Sequence, residues 1–242
     1  MSAQAYLQCA AAAVNALDLA GIERAAVLLA NATQAGQSLF VFGASHSFMI
    51  AEEMVYRTGG LMLVNPIYPH GMNFSVKPLP MTSKLERVVG LGTELLANSP
   101  AKESDVLILA STSGRNAVTI DMALLARERK IKTIAITSLA YTRGVGSRHP
   151  SGRKLAELCD VVIDNGAPYG DAAMEIPGFA HKVGPLSSVT GCAIVNALAC
   201  ETVKLLVARG VTPPVFVSAN TDPGDAHNAR LLTENRDRIH YL

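Results

Sequence analysis

The segment Asp105-Val106-Leu107-Ile108-Leu109-Ala110 runs directly into Ser111-Thr112-Ser113-Gly114-Arg115-Asn116. The first half is apolar without alternation, as in a strand buried on both faces of a sheet. The second half is a turn of small and hydroxyl residues, and the amphipathic stretch Asn116–Arg129 behind it has helical spacing. Strand, turn and helix in that order is the unit of a parallel α/β sheet. Working outward, four further short apolar runs repeat the pattern: Ser38–Phe42, Leu61–Val64, Lys132–Thr137 and Asp160–Asp164. Helical stretches are expected at about Ser47–Thr58, Ser83–Ala97, Arg153–Leu158, Ser187–Ala208 and Asp225–Asn235. The spacing also predicts helices over residues 1–37, broken near Gly21. The expected fold is therefore an α/β domain with five parallel strands, right-handed crossovers and helices on both faces. One domain spanning 1–242 is the simplest division, with a core of about 25–209 and a C-terminal extension, 210–242, that combines an extended arm after Pro213-Pro214 with a last helix.

Composition bounds the function. The chain has 242 residues, of which 49% are hydrophobic and 17% charged, enough for a sizeable core. A net charge of +1 gives no field that implies nucleic acid or an anionic membrane, and neither is expected as a partner. Trp is absent and aromatics are scarce, which disfavours stacking platforms. The four cysteines have no paired-ligand spacing, so a reducing, cytoplasmic setting without disulfides is expected. The longest apolar run, Val189 to Cys200, is interrupted by Thr190, Gly191 and Asn196 and falls short of the roughly 20 residues of a membrane span.

Ligands of open α/β sheets bind beyond the carboxyl ends of the strands. Two turns there are rich in donors: Gly43-Ala44-Ser45-His46-Ser47 after the first strand and Ser111–Asn116 after the third. Ser and Thr hydroxyls, a glycine that lets the backbone approach, and the free N–H groups of a helix start together suit a phosphate monoester. Capping alone would explain one such turn. Two turns in one sheet favour binding. No GxGxxG follows the first strand, the second strand ends at Asn65 rather than at an acid for a ribose, and no GxxxxGK[ST] occurs.

These residues carry a family resemblance. Ser111-Thr112-Ser113-Gly114-Arg115-Asn116 resembles the SxSGx[ST/N] phosphosugar signature of SIS (sugar isomerase) domains, and Gly43–Ser47 resembles their GxGxS loop. Ser187-Ser188 is similar to the hydroxyl-rich turn before the last SIS helix, and Ser151–Asp160 to the SxLAxxAD run before the fifth strand. The likeness covers about Ala25 to Arg209 and is nearest to bacterial single-SIS-domain proteins, with a more distant similarity to phosphoheptose isomerases. It implies a three-layer, flavodoxin-like sheet, a homodimer or homotetramer, and a sugar phosphate held by Ser45, Ser47, Ser111, Thr112, Ser113, Gly114, Asn116, Ser187 and Ser188. No cofactor is expected. The reaction stays open among aldose–ketose isomerisation, the leading expectation, a lyase or etherase on the same scaffold, and non-catalytic sugar-phosphate sensing.

Isomerisation needs a base that moves a proton between adjacent carbons. On a helix from about Ser47, positions 46, 50, 53 and 57 share a face, which aligns His46, Glu53 and Arg57. The stretch Ala51-Glu52-Glu53 with Arg57 is similar to an AEExxxR motif of phosphoheptose isomerases, whose second Glu matches Glu53. The resemblance puts Cys192 where those enzymes carry a catalytic His in the last helix. His181, just before that helix, is the candidate substitute. Glu53, His181 and His46 are thus the expected catalytic residues. Asp171 and Glu175 follow the last strand, and the basic loop Ala140–Gly152 offers Arg148 or His149 to an anionic substrate. No HxxxH, HExxH or Cys cluster marks a metal site, and none is expected.

Overall fold

The computed structural model describes residues 3–221 and 223–242. Five strands form one parallel sheet: β1 (Leu39–Gly43), β2 (Val64–Pro66), β3 (Val106–Ala110), β4 (Lys132–Thr137) and β5 (Val161–Asp164). Their spatial order is β2-β1-β3-β4-β5, the flavodoxin-like arrangement. Register runs from Leu39↔Val106 to Gly43↔Ala110 between β1 and β3, so both donor-rich turns leave the sheet at the same level.

Alternation along the strands divides the core into two layers. Leu39, Val41, Val106, Ile108, Ile134 and Ile136 point to one face, where α2 (Leu19–Gln34), α3 (Phe48–Met54) and α8 (Ser187–Ala208) cover them. Phe40, Phe42, Leu107, Leu109 and Ala135 point to the other, against α5 (Leu91–Ala97) and α6 (Ala117–Glu128). Both faces are buried, which explains the unbroken apolar runs. The chain starts with α1 (Ala3–Asn15), and the expected helix break falls at residues 16–18 rather than at Gly21. Asp18 caps α2 by accepting the Gly21 N–H at 2.9 Å.

Several expected elements are shorter than the periodicity implied. The stretch Ser47–Thr58 holds α3 only to Met54, because Val55 turns extended and Tyr56 adopts φ 50°. Ser83–Ala97 splits into α4 (Pro80–Leu85) and α5 at left-handed Gly90. Arg153–Leu158 is one 3₁₀ turn, Leu155–Glu157, and Leu139–Arg143 forms the short α7 inside the basic loop. An antiparallel pair, β6 (Ala172–Met174) and β7 (Val183–Pro185), was not anticipated. Helix α8 is long and apolar enough to cross a membrane by length and composition, yet Ile194, Val195 and Leu198 of it belong to the core. All four cysteines are free, and burial pushes the Cys159 thiol up to about 12.

The C-terminal arm packs on its own chain. Leu61 bridges Val215, and α9 (Gly224–Glu234) follows; Asp222, in the segment Asp222-Pro223-Gly224-Asp225 that the sequence suggests opens this helix, lies outside the described residues. Asn65 fastens the tail. Its Nδ2 donates to the carbonyls of Leu39, Leu63 and Arg238 at 2.9–3.1 Å, and its Oδ1 accepts the His240 N–H at 2.6 Å. Asn65→Leu orphans these buried groups, each at about 1–3 kcal/mol. The expected loss is roughly 3–5 kcal/mol in urea unfolding, and a loss within about 0.5 kcal/mol would contradict this account.

Candidate functional site

At the carboxyl edge of the sheet lies a cavity of about 350 Å³. Ser45, His46 and Ser47 from the first turn, Ser111, Thr112, Ser113 and Asn116 from the second, and Ser187 and Ser188 from the start of α8 all line it. Three segments separated by some 140 positions of sequence therefore converge, because β1 and β3 are neighbours and α8 packs beside α3.

The second turn is built to leave donors free. Its carbonyls are spent on the scaffold: Thr112 O accepts the Ser138 N–H at 3.0 Å, Ser113 O accepts Thr142 Oγ1 at 3.1 Å, and Gly114 O accepts the Leu155 N–H at 2.9 Å. Among the described residues, the hydroxyls of Ser111, Thr112 and Ser113 and the N–H groups of Thr112, Ser113, Arg115 and Asn116 make no hydrogen bond. Gly114 does not line the cavity. It turns the chain at φ 60°, where an added Cβ would stand 3.0 Å from Thr137 Oγ1. The free N–H groups precede α6, whose N-terminus adds a positive dipole end.

Other expected donors are already engaged. Ser187 Oγ donates to Asp171 at 2.6 Å, and the same carboxylate accepts the N–H groups of Leu186 and Ser187, capping α8. Ser45, at φ 52°, donates its hydroxyl to Glu86. Asn116 Nδ2 donates to Glu86 at 2.5 Å, and its Oδ1 accepts Arg148 Nη1 at 3.0 Å. Glu86 thus joins the two turns. The sequence reading passed over it, and the only local signal was an acid in the helical stretch behind the second strand's long loop.

Three arginines, Arg87, Arg115 and Arg148, stand near one another beside Asn116, while the cavity's own lining carries the carboxylates of Glu86 and Asp171. Burial, then the Arg115 and Arg87 charges, push the Arg148 guanidinium below its ordinary value, while Tyr141 and Glu86 partly oppose them. Arg115 Nε is buried without a hydrogen-bond partner. The basic loop is pinned by His149, whose Nε2 faces Asp121 Oδ1 at 3.0 Å; the two side chains are 10% and 5% exposed. Ser151 N–H donates to His149 Nδ1, which leaves the proton on Nε2 toward Asp121. His149 anchors the loop, and Arg148 reaches Asn116 at the cavity's edge.

Two expected catalytic residues lie outside this cavity. Glu53 pairs with Arg57 at 2.8 Å and accepts Asn196 Nδ2 at 2.9 Å, on the seam between α3 and α8. Ser188, Cys192 and Asn196 share one face of α8, so Glu53 meets that face roughly 12 Å along the axis from the cavity's edge at 1.5 Å per residue. The alignment of His46 with Glu53 fails because His46 sits in a 3₁₀ turn, Ser45–Ser47, before α3 begins. Cys192 does approach Glu53: burial, then the Glu53 charge, raises its thiol pKa. His181 lines a separate cavity of about 450 Å³ with Glu175, Phe179 and Lys182. Asn220 and His227 contact their own arm, through Ser218 and Val215.

Fold and cavity together define a parallel α/β protein with a hydroxyl-lined pocket at the carboxyl edge of its sheet. The chain belongs to the SIS-domain family: the model described as "SIS domain" matches residues 5–138, which include both turns. Its relatives include a UPF0309 protein of Oceanobacillus iheyensis, 44% identical over 221 residues that cover 91% of this chain and 90% of the relative. Another, from Shouchella clausii, is 42% identical over 219 residues, covering 90% and 89%. Among solved structures, the fold resembles phosphoheptose isomerases from Neisseria gonorrhoeae (TM-score 0.53, 16% identity, 83% of this chain and 96% of that one) and Francisella tularensis (0.52, 17%, 82% and 93%).

Proposed function

We propose that this chain is a single-domain cytoplasmic enzyme that binds a sugar phosphate and interconverts its aldose and ketose forms, acting as a homodimer or homotetramer. The observation that carries the reading is the set of unspent donors at residues 111–116, of which Ser111, Thr112, Ser113 and Asn116 line the cavity before the start of a helix. A phosphate there gains charge-assisted hydrogen bonds, roughly twice as strong as neutral ones. Arg148, held on Asn116 Oδ1 at 3.0 Å, brings a positive charge next to the cavity, which favours an anionic ligand there. A volume of about 350 Å³ leaves room for a sugar chain beyond the phosphate. Family membership and the shared fold of phosphoheptose isomerases support the class of ligand and of reaction.

The test is a thermal-shift screen of pentose, hexose and heptose phosphates against the same sugars without phosphate. A ligand present at 100 times its Kd stabilises by about 2.7 kcal/mol, which raises Tm by several degrees for a chain of this size. Proton NMR of the hits in deuterated water then reads the chemistry. Exchange at the carbon beside the carbonyl is the expected result. Elimination products instead identify a lyase, and binding without exchange or turnover identifies a sensor. No phosphate-dependent shift across the panel defeats the reading.

A further inference from the structure

We infer that Glu86 is the acid–base residue of this cavity, with His46 as its proton-handling partner; the inference rests on the isomerase reading above. Two carboxylates line the cavity, Glu86 and Asp171. Asp171 is consumed by the Leu186 and Ser187 N–H groups and the Ser187 hydroxyl, which fix the start of α8. Glu86 is held differently. Ser45 Oγ reaches Oε1 and Asn116 Nδ2 reaches Oε2, so each oxygen keeps a lone pair for a further proton. Its main chain is fixed as well, since the Glu86 carbonyl accepts the Val118 N–H from the first turn of α6. The carboxylate is thereby held between the two turns by one partner from each, close to the unspent donors. His46 follows Ser45 directly and lines the same cavity; its ring contacts Phe74 edge-on, with centroids 4.6 Å apart, and makes no hydrogen bond among the described residues.

The chemistry balances with these two groups. On an open-chain aldose phosphate, the Glu86 carboxylate takes the proton from C2, and the C2–H electron pair forms the C1=C2 bond. The C1 carbonyl pair moves to O1, which takes a proton from the His46 imidazolium. The neutral imidazole then takes the O2 proton, the O2 pair closes C2=O, and the C1=C2 pair recovers the proton from Glu86 at C1. Both residues return to their starting state, and no co-reactant is consumed.

The experiment compares the full chain with its Glu86→Gln, Glu86→Asp and Glu53→Gln variants. Each is assayed by thermal shift and by proton exchange in deuterated water with ribose 5-phosphate, fructose 6-phosphate and sedoheptulose 7-phosphate. The expected result is that Glu86→Gln still binds but exchanges at least about a hundredfold more slowly, within the range of acid–base contributions. Glu86→Asp should recover part of the rate, and Glu53→Gln should stay within about threefold of the parent. A merely structural brace between the turns would lower binding and leave turnover of bound substrate unchanged. Exchange by Glu86→Gln at the parent rate overturns the assignment while leaving the isomerase reading intact. A parent protein that binds none of the three sugars, or binds without exchange, defeats the isomerase reading for these sugars and removes the assignment with it.

Discussion

Replacing Ser111 and Ser113 together by alanine is expected to weaken sugar-phosphate binding by between about a hundredfold and ten-thousandfold, with little change in stability. Hydrogen bonds to a charged group contribute about 1.5–3 kcal/mol each, and every 1.4 kcal/mol is tenfold in affinity. Neither hydroxyl bonds to a described residue, so their removal orphans nothing in the ligand-free protein. The Ser113 carbonyl, which accepts Thr142 Oγ1, is untouched by the change. Isothermal titration with the best ligand of the screen measures the loss, and a melt checks the fold. The unphosphorylated sugar serves as control, because its affinity should barely move. A double variant that binds within threefold of the parent would place the phosphate elsewhere.

A large effect on both stability and binding is expected from Gly43→Ala. A Cβ there would lie 2.1 Å from the Ser47 carbonyl oxygen and 2.5 Å from its carbon. Both are backbone atoms of the turn that carries Ser45 and Ser47, so no flexible side chain can move aside. Overpacking of a fixed backbone costs roughly 1–3 kcal/mol and occasionally more. A loss near 3 kcal/mol corresponds to a fall in Tm of roughly 6–12 °C at this chain length. The turn must shift to relieve the contact, which pulls Ser45 from Glu86, so binding should fall as well. Gly146→Ala is the matched control, since its Cβ meets nothing within 4 Å and its φ is not positive. A Gly43→Ala protein that melts with the parent would show that the turn yields freely and that the two loops are not rigidly joined.

The placement of acids shows where local reading stops. Glu86 serves Ser45, 41 positions before it, and Asn116, 30 after it; no spacing rule connects residues so far apart. Glu53 was legible as part of a helical face, but that face depended on a helix reaching Thr58. The helix ends at Met54, where Val55 leaves the helical region; Glu53 keeps its pairing with Arg57 but also meets Asn196 of α8, away from His46 and the cavity. The β6–β7 pair escaped notice because three-residue strands carry too little periodicity to register.

The five apolar runs fixed the parallel sheet, and the residues within 111–116 fixed an anion-suited turn, because both depend on interactions between near neighbours along the chain. Burial on two faces needs only continuous apolar side chains, and a helix start offers free N–H groups wherever it occurs. Tertiary structure alone decided that Glu86 joins those donors in the cavity, which arginine reaches Asn116, and that His149 is tied to Asp121. Those pairings arise from strand order and helix packing, which bring distant segments within hydrogen-bond reach, a distance that sequence separation does not encode.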